Sequence, residues 1–274
     1  MARDPRTGKP LNVTKSRRKK QYIETLEGPW LAIQETDIIP LANGDISDYQ
    51  ISWRSKQYNL QREDGILGLT RLKGPRATAA HKSLLLALED ERPSVRVSAL
   101  KALPEVATQK SDELFDWLSV LLDDKDVSVR QAASEALATS APVFPSGVDI
   151  IIHNELRSFE PNRSKQAFKG LESLCEAWPE VACDHIDELF LETDAELRLK
   201  GAKLLGRVLI KAGHIGWDLV SWALNDDDPR VRRAAAKTLP KLSKVDTRIA
   251  TIFSERALSD LSLIHISEPT RLDG

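Results

Sequence analysis

Cysteine is almost absent from this 274-residue chain, which has two cysteines and an aromatic content of 5%. Two cysteines are too few for the disulfide framework of a small secreted domain. No apolar run approaches the ~20 residues that a membrane-spanning helix needs. The first residues are basic with no apolar stretch behind them, so they do not resemble a secretory signal. These absences predict a protein of a reducing, cytoplasmic compartment with no membrane association.

Signatures of catalysis are also missing. The sequence has no Gly-rich phosphate loop and no nucleophile elbow. Cys183, Asp184, His185 and Asp187 are close in sequence, but no second Cys-x-x-Cys or histidine follows at metal-ligand spacing. The pattern favours a surface helix with one half-buried thiol, and Cys175 falls on the apolar side of its helix. We therefore expect no catalytic residue, no metal and no cofactor.

Charge is distributed unevenly along the chain. The net charge is −2, but residues 1–20 hold eight Lys or Arg and a single acid, Asp4, while the remainder is acidic. Pro, Gly, Lys and Arg without a periodic apolar face predict a disordered tail over residues 1–20. A basic tail on an acidic body either meets an anionic partner or solubilises that end.

One phrase recurs every 34 residues along most of the chain. A polar residue, usually arginine, is followed after three residues by Gly or Ala and after seven by Leu. The polar positions are Arg62, Arg96, Arg130, Ser164, Arg198 and Arg232, and the leucines are Leu69, Leu103, Leu137, Leu171, Leu205 and Leu239. A fixed period of this size predicts a supersecondary unit stacked on copies of itself, which is a solenoid.

Each predicted unit contains two helices joined by an acidic turn. The second helix begins near a proline such as Pro93, Pro161 or Pro229, which costs no hydrogen bond in a helix's first turn. The acids before it cap the free amides and favour the positive end of the helix dipole. The predicted repeats cover 76–108, 111–142, 147–178, 181–213 and 214–244. They follow an irregular N-terminal cap with short helices at 21–58 and a degenerate unit, so that the array covers 59–260.

The phrases DERPSVRVSALKAL, DDKDVSVRQAASEAL and NDDDPRVRRAAAKTL resemble HEAT repeats. The similarity is closest to the short HEAT-like type that is also found in phycobilisome lyase proteins. It implies an all-α fold, a right-handed α-solenoid of five to six repeats. It also implies a structural ladder in which each arginine bonds an acidic turn of its own or the adjacent unit. The implied ladder residues are Asp90, Arg96, Asp124, Arg130, Arg198, Asp226 and Arg232. The third repeat departs from this pattern, with Ser158 and Ser164 in place of the acid and the arginine.

The last residues do not continue the repeat. Residues 261–271 resemble the translation of a transposase-type sequencing adapter, and we expect residues 261–274 to be non-native and further repeats to have been lost. A divergent final cap is the alternative interpretation.

A row of basic residues marks the predicted second helices. Five residues past the aligned polar position lie Lys101, Glu135, Lys169, Lys203 and Lys237. Arg207, Arg233 and Lys241 add charge in the later repeats. Since second helices line the concave side of HEAT-type stacks, this row predicts a basic groove. The alternative is that these are ordinary solvated lysines.

Three functions remain open from the sequence. The first is a non-enzymatic scaffold that binds a protein partner, such as an acidic segment, on the concave face. The second is nucleic-acid binding through the lysine row and the basic tail at Lys15–Lys20. The third is a lyase-like or DNA glycosylase-like enzyme, since HEAT-like glycosylases use aromatic and acidic residues. We interpret Trp117, Trp178, Trp217 and Trp222 as residues that pack between units. The sequence leaves the oligomeric state open.

Overall fold

The computed structural model describes residues 26–108 and 111–258, which fall into two compact units divided between Gly170 and Leu171. The predicted tails at 1–20 and 261–274 lie outside the described residues. Both units are built from paired helices, and the fold is the predicted all-α solenoid of two-helix repeats. Across the described ranges, no helix combines the length and the apolar character needed to cross a membrane.

Successive helices are joined by short connections. In chain order the helices are α1 (Ile38–Asn43), α2 (Arg62–Gly68), α3 (Ala77–Leu88), α4 (Pro93–Val106), α5 (Asp112–Leu121), α6 (Val127–Ser140), α7 (Pro145–Leu156), α8 (Pro161–Ala177), α9 (Pro179–Phe190), α10 (Ala195–Ala212), α11 (His214–Leu224), α12 (Pro229–Ala236), α13 (Leu239–Leu242) and α14 (Thr247–Leu258). Two strands, β1 (Tyr49–Trp53) and β2 (Lys56–Leu60), form an antiparallel hairpin. Single 3₁₀ turns lie at Pro29–Ala32, Leu69–Arg71 and Gly74–Arg76.

The aligned small residues and leucines form the core of the repeats. Ala99 and Leu103 in α4 are fully buried, as are Ala133 and Leu137 in α6 to within 1% exposure. Within a repeat α3 packs on α4, and between repeats α4 packs on α6. In the second unit α10 packs in the same way on α12. Because each buried leucine contributes about 1.5–3 kcal/mol, a repeat that lost its neighbour would expose a large apolar stripe.

Acidic side chains begin several of the second helices. Asp126, Asp194 and Asp228 are N-caps whose carboxylates accept the backbone N–H two residues later, at 2.8, 2.9 and 2.7 Å. Each cap satisfies one of the free amides of a helix start and places negative charge at the positive end of the dipole. The acidic turns therefore specify where the second helices start.

The N-terminal segment contains a β-hairpin that the sequence analysis did not predict. Helix α1 packs on α2, so these two helices form the first pair, and the hairpin occupies the position of the short acidic turn. The first pair therefore begins at Ile38, inside the segment that was predicted to be an irregular cap. Strand β1 of the hairpin alternates in burial: Tyr49, Ile51 and Trp53 are half-buried, and the residues between them are exposed.

The turn of this hairpin explains why it was missed. Arg54 and Ser55 connect the strands and both have positive φ, at 47° and 62°. Two-residue hairpin turns with this backbone usually contain Asn-Gly or Asp-Gly, and neither pair is present here. The Arg54 guanidinium lies 4.3 Å from the ring centre of Trp53, which lies against Tyr58. A cation–π contact and an aromatic pair therefore accompany a turn without its usual residues.

The arginines of the repeat phrase bind the turn of their own repeat. Arg96 donates from Nη1 to the carbonyl oxygens of Asp90 and Glu91 at 2.7 and 3.0 Å. The same pair of bonds recurs at Arg130 to Asp124 and Lys125, at Arg198 to Glu192 and Thr193, and at Arg232 to Asp226 and Asp227. Each arginine thus satisfies two carbonyl groups of the turn between the two helices of its repeat.

Three of the arginines also reach the turn of the next repeat. Arg96 contacts the two carboxylate oxygens of Asp124 at 2.8 and 2.9 Å, and the two side chains are only 7% and 9% exposed. Arg62 pairs with Asp90 at 2.5 Å, and in the second unit Arg198 pairs with Asp226 at 2.7 Å. These ion pairs link successive turns into the ladder.

The third repeat replaces the ladder with a different ion cluster. The Ser164 hydroxyl donates to the Leu156 carbonyl at 3.0 Å. One residue earlier, the Arg163 guanidinium pairs with both oxygens of Glu155 at 2.5 Å and contacts Asp123 in the preceding repeat's turn. These bonds, above all those to Glu155, raise the pKa of Arg163. The cluster restores a link between repeats where the arginine and the acid of the phrase are both lost.

We expect Arg96→Met to lower the free energy of unfolding by about 3 kcal/mol, because it leaves the Asp124 carboxylate nearly buried without its partner. Arg130→Met is the matched control. Arg130 bonds turn carbonyls but has no ion pair among the described residues, since Ser158 stands where the next acid would be. Arg130→Met should therefore lower the free energy of unfolding by only about 1 kcal/mol. Urea unfolding followed by circular dichroism measures both, and equal losses would contradict the ladder's contribution.

We expect the second unit to lose stability as the pH falls from about 4 toward 2. The Arg230 side chain and backbone N–H hold the pKa of Asp228 down at about 2, below the ~3.9 of an unfolded chain. Stability from a depressed carboxyl pKa is complete above the unfolded value and disappears as the pH passes the folded value. Asp228→Asn keeps a good N-cap and should flatten this part of the acid profile. Thermal midpoints at pH 2–6 test this, and an unchanged slope in the variant would contradict it.

Candidate functional site: a basic groove in the second unit

Five basic side chains line a groove of about 350 Å³ in the second unit. Its walls come from α10, α12, α13 and the two residues that join α12 to α13. The lining residues are Leu199, Lys203, Gly206, Arg230, Arg233, Ala234, Lys237, Thr238 and Lys241. No acid is among them, so the groove concentrates positive charge on an otherwise acidic chain body.

The repeat period explains how these side chains meet. Lys203 and Lys237 are 34 residues apart and occupy the same position in successive second helices. Because α10 packs on α12, Lys203 on α10 and Lys237, directly after the end of α12, line the same groove. Arg233 on α12 and Lys241 on α13 line the groove on either side of Lys237 in the sequence. Four residues of the predicted row, Lys203, Arg233, Lys237 and Lys241, therefore line one groove.

A break in the second helix of this repeat shapes the lower end of the groove. Helix α12 ends at Ala236 and α13 begins at Leu239, with Pro240 in its first turn. Proline has no N–H to donate to the preceding turn and therefore interrupts a continuous helix. Lys241, carried by α13, extends toward α10, where its Nζ donates to the Gly206 carbonyl at 3.4 Å.

The five cations differ in how far their charge is neutralised. Arg230 pairs with Asp228 at 2.8 Å and with Glu196, and these bonds raise the pKa of Arg230. Lys203 and Lys237 are exposed, and their ammonium groups have no hydrogen bond or ion pair within the described part of the chain. The groove therefore presents unneutralised positive charge at its centre.

The other predicted row residues do not line this groove. Lys101 is exposed on α4 and Lys169 is exposed on α8, and both belong to the first unit. Arg207 lies in the second unit, but its guanidinium pairs with Glu172 at 3.0 Å and Glu176 at 3.1 Å. Sequence reasoning missed Arg230 as a lining residue, because it follows the helix-starting Pro229 and looked like part of the cap.

The two cysteines are buried among apolar side chains. Cys175 is 0% exposed, as predicted, and Cys183 is 1% exposed, more deeply buried than the expected half-buried thiol. Burial raises the pKa of each thiol to about 12, so neither is a nucleophilic thiolate at neutral pH. In residues 26–108 and 111–258 no group of three or more His, Cys, Asp or Glu side chains could hold a metal ion.

The tryptophans that were predicted to pack between units do not all do so. Trp117, Trp178 and Trp217 are partly buried, but Trp222 is 63% exposed. Trp222 lines a second depression of about 530 Å³ together with Glu192, Asp226 and Asp227 near the turns of the second unit. Its position near the end of α11 suggested packing, but the neighbouring turn leaves the ring uncovered.

Family models match two segments of the chain. A model described as HEAT repeats matches residues 82–149, and a model described as HEAT repeat matches residues 219–246. The first covers α4 to α6 with the Arg96–Asp124 pair, and the second covers α12 and α13 of the groove. No curated protein matches the sequence.

Several structures are similar to this chain at low identity. A chain from the structure of Kap95p with RanGDP is 12% identical with a TM-score of 0.54, over 97% of this chain and 39% of that chain. An engineered protein is 17% identical with a TM-score of 0.41, over 77% of this chain and 98% of that chain. A homology model of the full-length AP-3 complex is 19% identical with a TM-score of 0.40, over 73% of this chain and 38% of that chain. This chain thus spans less than two fifths of the matched Kap95p and AP-3 chains. Together with the helix pairs and the arginine ladder, the two family matches show that the chain contains HEAT repeats.

Proposed function

We propose that this protein is a non-enzymatic scaffold whose second-helix face, the concave face in HEAT-type stacks, binds an acidic segment of a partner protein. The observation that carries the proposal is the groove of the second unit, where five cations and no acid line one surface. The partner's carboxylates face Lys203 and Lys237, whose charges are not neutralised by the protein itself. Such complementarity steers the encounter and selects against basic partners.

The floor of the groove also supports an extended peptide as its occupant. Leu199, Gly206 and Ala234 are apolar or small, and the Thr238 hydroxyl already donates to the Ala235 carbonyl at 2.7 Å. The small and apolar lining residues therefore offer close approach to a backbone, while the five basic residues offer charge. This division matches the usual interface, with a packed centre and a polar edge.

Protein is favoured over nucleic acid by the extent of the charge. Duplex DNA presents one negative charge per ~1.7 Å of its axis and binds proteins with long basic surfaces. Here Arg207 is neutralised by two glutamates, and residues 21–274 together carry more acids than bases. A short acidic segment matches a local groove better than a long polyanion does.

The similarity to Kap95p supports the general class. That structure describes Kap95p binding to RanGDP, so a stack of this kind serves there as a protein-binding surface. At 12% identity the similarity concerns the fold, and the partner of this chain follows from its own groove. We place the protein in the cytoplasm and assign it no cofactor. A lyase-like or glycosylase-like activity would need several polar groups converging on one reacting atom, whereas the groove offers cations around an apolar floor.

We expect a double variant, Lys203→Glu with Lys237→Glu, to bind a fluorescent peptide rich in Asp and Glu at least about tenfold more weakly than the original chain, which is about 1.4 kcal/mol. The two introduced glutamates then repel the acidic side chains of the peptide. Fluorescence anisotropy at 150 mM salt measures both affinities.

A charge-matched control separates the groove from net charge. Lys56→Glu with Lys82→Glu changes the same total charge at exposed positions of the first unit and should leave peptide binding unchanged. Equal weakening in both double variants would contradict the groove as the site. Tighter binding of duplex DNA than of the peptide, with log affinity falling by about 0.9 per phosphate contacted per log unit of salt, would support nucleic acid instead.

A further inference from the structure

Two ammonium groups without a partner in the described part of the protein belong to residues that line one groove. Lys203 on α10 and Lys237 at the end of α12 line the same volume, and neither has an ion pair or hydrogen bond among the described residues. Lys241 adds a third ammonium, with one long bond of 3.4 Å to a carbonyl. Like charges in one groove repel each other, and the acids nearest to the rim, Glu196 and Asp228, are occupied by Arg230.

The number of charges sets the type of anion that fits best. A carboxylate brings one negative charge and two oxygens, so it can face two ammonium groups but neutralises only one. A phosphate monoester carries about −1.5 to −2 at neutral pH and three strong acceptor oxygens. Hydrogen bonds between ionised partners are roughly twice as strong as neutral ones, so the third oxygen and the second charge both add affinity.

The groove also has room for such a group together with its chain. Its volume of about 350 Å³ falls at the small end of ligand sites, which run from ~300 to 1,000 Å³. Gly206 contributes to this room. A methyl group added there would lie 3.3 Å from the Lys241 Nζ and 3.6 Å from Thr238 Cγ2, so a larger residue would crowd the lysine that reaches across the groove.

We infer that the groove recognises a phosphorylated side chain within the partner's acidic segment, with Lys203, Lys237 and Lys241 around the phosphate. The inference rests on the proposed function, because it names the group that the scaffold prefers in the same groove. Phosphorylation of the partner then switches binding on by adding charge where the three ammonium groups meet.

The test uses three peptides that differ at one position. Each has the same flanking glutamates, with serine, glutamate or phosphoserine at the centre, and binding to the full chain is followed by anisotropy. The phosphoserine peptide should bind at least about tenfold more tightly than the glutamate peptide, and the serine peptide most weakly. Lys203→Ala and Lys237→Ala should each reduce the preference for phosphoserine to about threefold or less, while Lys82→Ala, exposed on α3, should keep it.

A pH series tests whether the second negative charge of the phosphate contributes to binding. The second pKa of a phosphate monoester is about 6, so binding of the phosphoserine peptide should weaken as the pH falls from 7.5 to 5.5. The glutamate peptide, whose carboxyl pKa values lie near ~4.3, should bind equally at both. None of the residues that line the groove is a histidine.

The outcomes separate this inference from the proposed function. If the glutamate and phosphoserine peptides bind equally, with Lys203 and Lys237 required for both, the scaffold proposal stands and the phosphate preference is overturned. If no peptide binds, both are overturned. Binding to vesicles that contain a phosphorylated inositol lipid, without binding to the phosphoserine peptide, would also overturn the inference and assign the groove to a membrane.

Discussion

Burial of one apolar stripe between neighbouring helices is the interaction on which the rest of this structure depends. Ala99 and Leu103 are fully buried on α4, which packs on α3 of its own repeat and on α6 of the next. A small residue at the first position allows this close approach, and a leucine one turn later fills the space that remains. The cost of ordering each repeat is thus offset largely at its boundaries with its neighbours.

Polar contacts give this stacking its register. A leucine stripe by itself tolerates sliding, whereas an arginine that bonds two carbonyls of its own turn and a carboxylate of the next turn fits in one position. The Arg96–Asp124 pair is nearly excluded from water, which makes it costly to break without making it a large source of net stability. In the third repeat Arg163, Glu155 and Asp123 provide the equivalent link with different residues. An ion pair between repeats is therefore present even where the usual arginine and acid are replaced by serines.

The candidate site follows from the same period. One lysine at a fixed position of the repeat is an ordinary solvated side chain, but two of them in adjacent repeats that line one groove concentrate positive charge there. The Pro240 break then turns a third lysine toward the same space. Arg207 shows the opposite case, since it belongs to the same helix as Lys203 but is neutralised by Glu172 and Glu176. Local neighbours decide which members of a basic row remain available to a ligand.

The sequence by itself determined the repeat length, the helix pairs, the buried positions and the residues of the turns, because each depends on a local pattern of burial or capping repeated at a constant interval. It did not predict the hairpin between α1 and α2, because Arg54 and Ser55 adopt left-handed backbone conformations without the usual glycine or asparagine. It also did not predict the Arg163 cluster, the exposure of Trp222 or the neutralisation of Arg207. These depend on which side chains from distant positions lie within a few ångströms, and only the tertiary structure decides that, because charge compensation and solvent exposure are properties of spatial neighbours.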